Sequence, residues 1–170
     1  MGKEETPLSS ISQYIELIKF DAGDRLFCVD VDQVLGVVTL SPGIGQVPPY
    51  VPFNNEHIPV HSLDRLLGLE VQAAFPGQEV LVLRGQQEKF GIAVDWVGEI
   101  YRVPVARTIF RFPESKRSRI KMCGIWGMTN LGGNMTLILE PESLVVNEEQ
   151  RHTVVRPLPG AAYRTKSPQL

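Results

Sequence analysis

The stretch that decides the fold is FCVDVDQVLGVV, residues 27–38, because the chain repeats its pattern once. The pattern returns as FGIAVDWVGEIY, residues 90–101, at an offset of 63 positions (90 − 27). A second pair of segments, VHSLDRLL at residues 60–67 and ILEPESLV at residues 138–145, aligns at an offset of 78 (138 − 60). Two copies without a short period predict a paired barrel or sandwich rather than a solenoid or propeller.

The repeat makes specific structural predictions. Residues 25–38 and 88–101 are expected to form equivalent pairs of strands, with Phe27 and Phe90 in equivalent core positions. The two offsets differ by 15 residues (78 − 63), which gives the second copy a longer connection between Arg102 and Met135.

The composition is that of a single folded domain. The 170 residues are 43% hydrophobic and 21% charged, with a net charge of −2. This charge gives no global attraction to nucleic acid or to an anionic membrane, and no run of 18 apolar residues predicts a membrane span. We therefore expect a cytoplasmic chain whose partners are proteins or small molecules. Cys28 and Cys123 are expected to be reduced thiols in or near the core.

Short runs rich in β-branched and aromatic residues, separated by glycine and proline, predict an all-β domain over residues 13–147. Residues 1–12 and 148–170 are predicted to be tails, the second one flexible. Gly132 and Gly133 supply the positive φ angles of a tight hairpin between two strands.

Two helical turns are predicted at equivalent places in the repeat. Ser62 can cap a turn that buries Leu63, Leu66 and Leu67, and Gly68 can close it in the left-handed conformation. The second turn begins at Pro141 and buries Leu144 and Val145.

No group of residues predicts catalysis, a metal or a cofactor. His57 and His61 flank Pro59 in a segment that reads as a strand, where residues four apart are separated by roughly 13 Å, too far to share one ion. Nothing around the neighbouring carboxylates of Asp30 and Asp32 indicates a raised pKa. The chain also lacks the G-x-S-x-G motif of esterases and the glycine-rich phosphate loops.

Asp32 and Asp95 each follow a predicted strand, where an aspartate commonly accepts backbone N–H groups at a turn. We therefore interpret both as structural residues.

One basic loop, residues 111–121, supports an alternative function. It contains five positive charges, Arg111, Lys116, Arg117, Arg119 and Lys121. A small β-barrel module could bind nucleic acid through such a loop, although no aromatic residues alternate with these charges to stack on bases.

Residues 13–147 resemble the CheW-like domain, the coupling module of bacterial chemotaxis arrays that also occurs at the end of the CheA kinase. The order and spacing of several loose motifs carry the resemblance. They are the strand at residues 14–20 before Gly23-Asp24, the repeated segments 27–34 and 90–100, V-P-x-Y-V at 47–51, I-P-V-x-x-L at 58–63, the segment 109–113, Gly124-Ile125 and L-I-L-x-P at 137–141.

The resemblance implies a fold of two five-stranded SH3-like barrels packed side by side, with short helical turns. It also implies a non-enzymatic scaffold without cofactor or metal, which couples the regulatory domain of a CheA-type histidine kinase to a chemoreceptor tip or another adaptor. Kinase domains meet the barrel ends, and a receptor helix hairpin lies in the groove between the barrels. The protein-binding residues implied for the groove and its edge are Val34, Gly36, Val38, Asn54 and Asn55, and for the second barrel Glu99 and Tyr101.

For each of these valines, packing in the core is the alternative, because one sequence does not show which face of a strand is exposed.

Two departures from the family pattern fall in the receptor-contacting region. Family members usually carry G-x-x-N-L-R-G-x-I-x-P, whereas this chain has VPFNNEHIP at residues 51–59, without an arginine. Many members also have an acidic residue two positions after the Val34 position, where this chain has Gly36. We therefore expect affinity for a conventional receptor tip to be weak and nearly independent of salt.

Overall fold

The computed structural model describes residues 13–42, 45–69, 77–113, 124–144 and 164–166. The strands are β1 (Tyr14–Ala22), β2 (Arg25–Asp30), β3 (Val34–Thr39), β4 (Tyr50–Phe53), β5 (Glu56–Ser62), β6 (Glu79–Arg84), β7 (Lys89–Val94), β8 (Trp96–Pro104), β9 (Ile109–Arg111), β10 (Ile125–Leu131), β11 (Asn134–Leu139) and β12 (Arg164–Lys166). The one-turn helices are α1 (Leu63–Leu66) and α2 (Val105–Thr108), and 3₁₀ turns lie at Val31–Gln33 and Pro141–Ser143.

The strands form two curled sheets. Sheet A has the order β8-β1-β2-β11-β10-β9, and sheet B has the order β12-β3-β6-β7-β5-β4. Five strands of each sheet follow the repeated plan, and β9 and β12 are the additional strands. The prediction of an all-β chain with two SH3-like halves is confirmed.

The strand registers reproduce the repeat residue by residue. Phe20 pairs with Phe27 in sheet A, and Leu83 pairs with Phe90 in sheet B, so that both members are shifted by 63 (83 − 20 and 90 − 27). The parallel pair Cys28↔Ile138 corresponds in the same way to the parallel pair of β7 and β5, at offsets of 63 and 78. The prediction that residues 25–38 and 88–101 form equivalent strands is confirmed.

The two sheets do not coincide with the two halves of the sequence. Sheet A combines β1 and β2 of the first copy with β8, β10 and β11 of the second. Sheet B combines β3, β4 and β5 of the first copy with β6 and β7 of the second. The chain crosses between the sheets directly after β2 and again directly after β7, so each barrel contains strands from both copies.

The described residues form three apolar clusters. The largest, which we call the inter-sheet core, joins residues of both sheets and of α1, and includes the stacked rings of Phe20 and Phe27 at a centroid distance of 5.6 Å. Its buried members are Ile18, Phe20, Phe27, Val29, Val34, Val37, Leu63, Leu66, Leu67, Leu81, Leu83, Phe90, Ile92, Val94, Ile125, Leu139 and Leu144. Of the two smaller clusters, one lies in sheet A and the other in sheet B.

Two equivalent hairpins have equivalent turns. Gly132 and Gly133 join β10 to β11 with φ angles of 59° and 86°, as predicted. Asn54 and Asn55 join β4 to β5 with φ angles of 49° and 65°. Positive φ at both central residues is the type I′ geometry of two-residue hairpins, and asparagine tolerates it better than most residues.

The predicted helical turns are present. Leu63, Leu66 and Leu67 are buried in the inter-sheet core, and Gly68 follows with a φ of 68°. The predicted cap is wrong, because the Ser62 side chain makes no capping hydrogen bond. In the second turn Pro141 begins a 3₁₀ turn, and Leu144 is buried.

The C-terminal segment differs from the prediction. Residues 148–170 are predicted to be a flexible tail, whereas Arg164–Lys166 form β12 and pair antiparallel with β3. An edge strand offers unpaired N–H and C=O groups, and an extended segment satisfies them even when its sequence has few large apolar residues.

Truncation of either repeated phenylalanine should destabilise the fold strongly. Phe27 and Phe90 are both 1% exposed, so Phe27→Ala and Phe90→Ala should each lower the free energy of unfolding by about 3–5 kcal/mol, measured by urea denaturation. Phe110→Ala is the control, because Phe110 is 62% exposed and should cost less than about 1 kcal/mol. A small effect of Phe27→Ala or Phe90→Ala would contradict the shared inter-sheet core.

The asparagine turn makes a second prediction. Asn55→Gly should leave stability nearly unchanged, because glycine adopts a φ of 65° freely. Asn55→Val should cost about 1–2 kcal/mol, since a β-branched residue is strained in this conformation. Thermal unfolding of both variants checks the prediction, and equal stability of the two would show that the turn relaxes to another geometry.

Candidate functional site

A small pocket, which we call the groove, lies between the two sheets beside α1. It is lined by Arg25, Phe27, Leu67, Leu69, Ile125 and Leu137. Sheet A contributes residues of β2, β10 and β11, and sheet B contributes the end of α1. The pocket is the uncovered margin of the inter-sheet core, because Phe27, Leu67 and Ile125 belong to that core.

An apolar row extends from this pocket across sheet A. The strand register sets Phe27 beside Leu137, Leu137 opposite Met128, and Met128 opposite Phe110. Residues that face each other on neighbouring strands project from the same side of a sheet. These four side chains therefore form one continuous row, which we call the apolar stripe.

The outer part of the apolar stripe is exposed. Phe110 is 62% exposed, and Met135, two residues before Leu137 on the same face of β11, is 55% exposed. Single exposed apolar residues are common, but a contiguous row that leads into a pocket indicates a contact surface.

Arg25 is the charged residue of the pocket. Its guanidinium lies 3.6 Å from a carboxylate oxygen of Asp64 and 3.9 Å from one of Asp24. Because its side chain is 44% exposed, these ion pairs contribute little stability, but they partly neutralise the charge at the pocket.

Two predicted groove residues are buried. Val34 packs in the inter-sheet core, and Val38 is 0% exposed in the core of sheet B. Both side chains therefore pack in a core in this structure, which is the alternative that the sequence left open for the valines. Gly36 is also buried, next to a bulge in the pairing of β3 with β6. A carboxylate at this position would lose its hydration, because Gly36 is buried.

Asn54 and Asn55 are exposed at the tip of the β4–β5 hairpin. Their positive φ angles give both residues a structural role that the sequence analysis did not assign to them. The signal was available in the sequence, because a pair of asparagines between two apolar runs is typical of a type I′ turn.

Glu99 and Tyr101 lie two residues apart on β8. The Tyr101 hydroxyl is 3.4 Å from a Glu99 carboxylate oxygen, and the Tyr101 ring packs against the core of sheet A. Glu99 is exposed. These two residues are on sheet A, whereas β3 and the asparagine turn lie toward opposite ends of sheet B. Glu99 and Tyr101, which are predicted for the second barrel, are thus on a different sheet from the five residues predicted for the groove and its edge.

The described residues also place the groups considered for catalysis or metal binding. His57 is exposed, while His61 is buried and lies near the Phe90 ring at a centroid distance of 6.3 Å. Within the described ranges no three potential ligands are grouped to hold a metal ion. Asp95 accepts a hydrogen bond from the Gly23 N–H at 2.7 Å, which supports its predicted structural role.

Asp30 differs from the sequence-based predictions in two properties, its pKa and its role as the cap of a turn. Burial raises the pKa of Asp30 above its ordinary value, although the N–H of Asp32 donates to its carboxylate at 3.0 Å and has the opposite effect. The sequence gives no indication of a raised pKa here and places the aspartate of the turn at Asp32. Asp30 instead caps the 3₁₀ turn that leads from sheet A to sheet B.

Most of the basic loop lies outside the described residues, which end at Pro113 and resume at Gly124. Arg111 is described, and its guanidinium lies over the Trp126 ring at 5.4 Å. In the described part of the chain the helices are single turns, and none is long or apolar enough to span a membrane.

The apolar stripe is not predicted from the sequence. Phe110, Met128 and Met135 come from three strands, and only pairing brings them together. The sequence holds one signal, which is the close spacing of the aromatic residues Phe110 and Phe112.

Comparisons with known proteins identify relatives of the chain. The family model described as the CheW-like domain matches residues 16–149. The crystal structure of the scaffolding protein TtCheW from Thermoanaerobacter tengcongensis is similar, with a TM-score of 0.62 and 16% sequence identity over 83% of this chain and 99% of that chain. At this identity the likeness shows the fold alone. No curated protein sequence matches the chain significantly.

Cys28 should be inert as a nucleophile. Burial raises the pKa of its thiol to about 12, and the thiolate is the reactive form. In a Cys123→Ser chain at about pH 8, iodoacetamide should label Cys28 at least about 100-fold more slowly than after unfolding in urea. Labelling at equal rates would show that the thiol is accessible.

The same pKa shift links stability to pH. The folded-state pKa lies above the unfolded value of about 8.5, so the contribution of Cys28 is complete below that pH and is lost as pH rises towards about 12. Urea unfolding of the wild-type chain and of a Cys28→Ala variant, measured across this pH range, separates the contribution of the thiol to stability from that of other titrating groups.

Proposed function

The chain belongs to the CheW-like domain family, and from this membership we propose that it is a non-catalytic scaffold in chemotaxis-type signal transduction. It couples the regulatory domain of a CheA-type histidine kinase to the cytoplasmic tip of a chemoreceptor or to another adaptor. It acts in the cytoplasm, without a cofactor and without inserting into a membrane.

The single observation that supports this proposal most is the apolar stripe leading into the groove between the sheets. Neighbouring strands are roughly 4.8 Å apart, so the three strands β9, β10 and β11 span about 10 Å. This width matches the diameter of one α-helix, about 10 Å. The surface therefore suits an amphipathic helix that buries apolar side chains in the pocket and against Phe110 and Met135.

The chemistry of the groove is also that of a binding surface. Its pocket is lined by apolar side chains and by Arg25, which is already paired with Asp64 and Asp24. Cys28 is buried with a raised pKa, so this thiol supplies no nucleophile. These groups are therefore suited to a surface that contacts and positions partners.

Removal of the exposed end of the stripe should weaken partner binding. Phe110→Ala should raise the Kd for a receptor-tip helix hairpin about tenfold, since an aromatic side chain that becomes buried by a partner often contributes about 1–2 kcal/mol to binding. Tyr14→Ala is the matched control, because Tyr14 is 53% exposed on β1 and lies outside the stripe. Isothermal titration calorimetry gives both Kd values, and equal losses in the two variants would contradict the assignment of the groove.

Binding of the receptor tip should be weak and nearly independent of salt. The chain lacks the arginine and the acidic residue of the family pattern, and the charge of Arg25 in the groove is partly neutralised. The Kd should change less than about twofold between about 50 and about 300 mM NaCl. Tight binding that weakens steeply with salt would overturn this expectation.

A titration against the kinase regulatory domain completes the test. In the proposed scaffold, kinase docking uses the barrel ends, so Phe110→Ala should leave the Kd for the kinase domain unchanged. Absence of binding to both the receptor tip and the kinase domain would refute the proposed function.

A further inference from the structure

The outer edge of β3 carries a strand from the far end of the chain. The register sets Arg164 opposite Thr39, Thr165 opposite Val38, and Lys166 opposite Val37. The other edge of β3 pairs with β6 in the interior of sheet B. Without β12, the backbone N–H and C=O groups of residues 37–39 on this side would belong to an unpaired edge.

The edge of β3 is rigidly supported. Val37 is 7% exposed in the inter-sheet core, and Val38 is 0% exposed in the core of sheet B. Adjacent residues of β3 are thus anchored on both faces of the sheet. A strand held in this way presents its outward backbone groups in a fixed geometry, as in domains that bind an extended peptide by adding it to a sheet.

The equivalent strand of sheet A shows that this pairing is not part of the repeated plan. Residues 37–39 correspond to Ile100, Tyr101 and Arg102 of β8 at the offset of 63 (100 − 37). In the described part of the chain, the only strand that pairs with β8 is β1. The register seen on β3 would set Arg164 opposite Arg102 on β8, and like charges directly opposite each other destabilise a strand pair.

We propose that the outer edge of β3 is a docking site for an extended strand, and that residues 164–166 are its resident, intramolecular occupant. A strand from another protein can pair with this edge of β3 only if it displaces residues 164–166. The site is distinct from the groove, and the proposal does not depend on the identity of the scaffold's partners.

The number of residues between the core and β12 determines how tightly a free peptide must bind the edge of β3. Nineteen residues, 145–163 (163 − 145 + 1), separate the last described residue of the core from β12. A tether of about this length gives an effective concentration in the millimolar range. For the site to be occupied within one molecule, a free peptide of the same sequence must bind the vacant edge with a Kd of about 1 mM or lower.

The test uses the full chain with Thr165→Pro and Lys166→Pro combined. Successive N–H groups of a strand point to opposite sides, so the double substitution removes a donor to β3 whichever residue supplies it. Gln169→Pro is the matched control, because it makes the same change outside β12. Thr165→Gly, which keeps the N–H and lowers only strand propensity, provides a milder variant.

Hydrogen exchange at residues 37–39 is the first readout. In the double variant the outward amides of these residues should exchange at least about tenfold faster than in the wild-type and Gln169→Pro chains. Thr165→Gly should also accelerate amide exchange at residues 37–39, but by a smaller factor. An unchanged melting curve of each variant confirms that the sheets are intact. Unchanged exchange in both variants would overturn the proposal.

A synthetic peptide of residues 160–170 is the second readout. Added at up to about 5 mM, it should restore the protection of residues 37–39 in the double variant, and should bind the wild-type chain at least about fivefold more weakly. If the peptide binds equally to the double variant and to the wild-type chain, or binds to neither, residues 164–166 do not occupy this edge and the proposal is wrong. A wild-type dimer that the double variant converts to a monomer would show that the occupant comes from a second copy, which would also overturn it.

Discussion

The packing of both sheets on one inter-sheet core is the constraint on which the rest of the structure depends. Phe20, Phe27 and Phe90 enter this core from β1, β2 and β7, so residues from both copies of the repeat meet there. The sheets themselves also mix strands of the two copies. Neither half of the sequence can therefore bury its apolar faces without the other, and the two barrels form one cooperative unit.

The candidate contact surface is a direct consequence of this architecture. Two curled sheets that meet along a core leave a groove where their surfaces diverge, and the pocket beside α1 is lined by members of the same core. The apolar stripe continues that core to Phe110 at the edge of sheet A. A scaffold gains a preformed binding surface in this way, because residues that stabilise the fold also position the exposed side chains.

The approximate symmetry of the molecule is broken at its edges, where partners can bind. The two sheets share equivalent registers and equivalent type I′ hairpins, at Asn54-Asn55 and Gly132-Gly133. Sheet A gains β9, which supplies Phe110, and sheet B gains β12, which covers β3. Two similar barrels thereby acquire different surfaces.

The sequence by itself determined the all-β class, the repeat, the strand pairs around Phe27 and Phe90, and the glycine hairpin, because these follow from local periodicity, turn chemistry and self-similarity. Only the tertiary structure decided that the strands are exchanged between the sheets, that Val34 and Val38 face cores, and that Phe110 joins an apolar stripe. The physical reason is that pairing between distant strands fixes which face of each strand is covered. A valine has the same local pattern whether it packs in a core or contacts a partner.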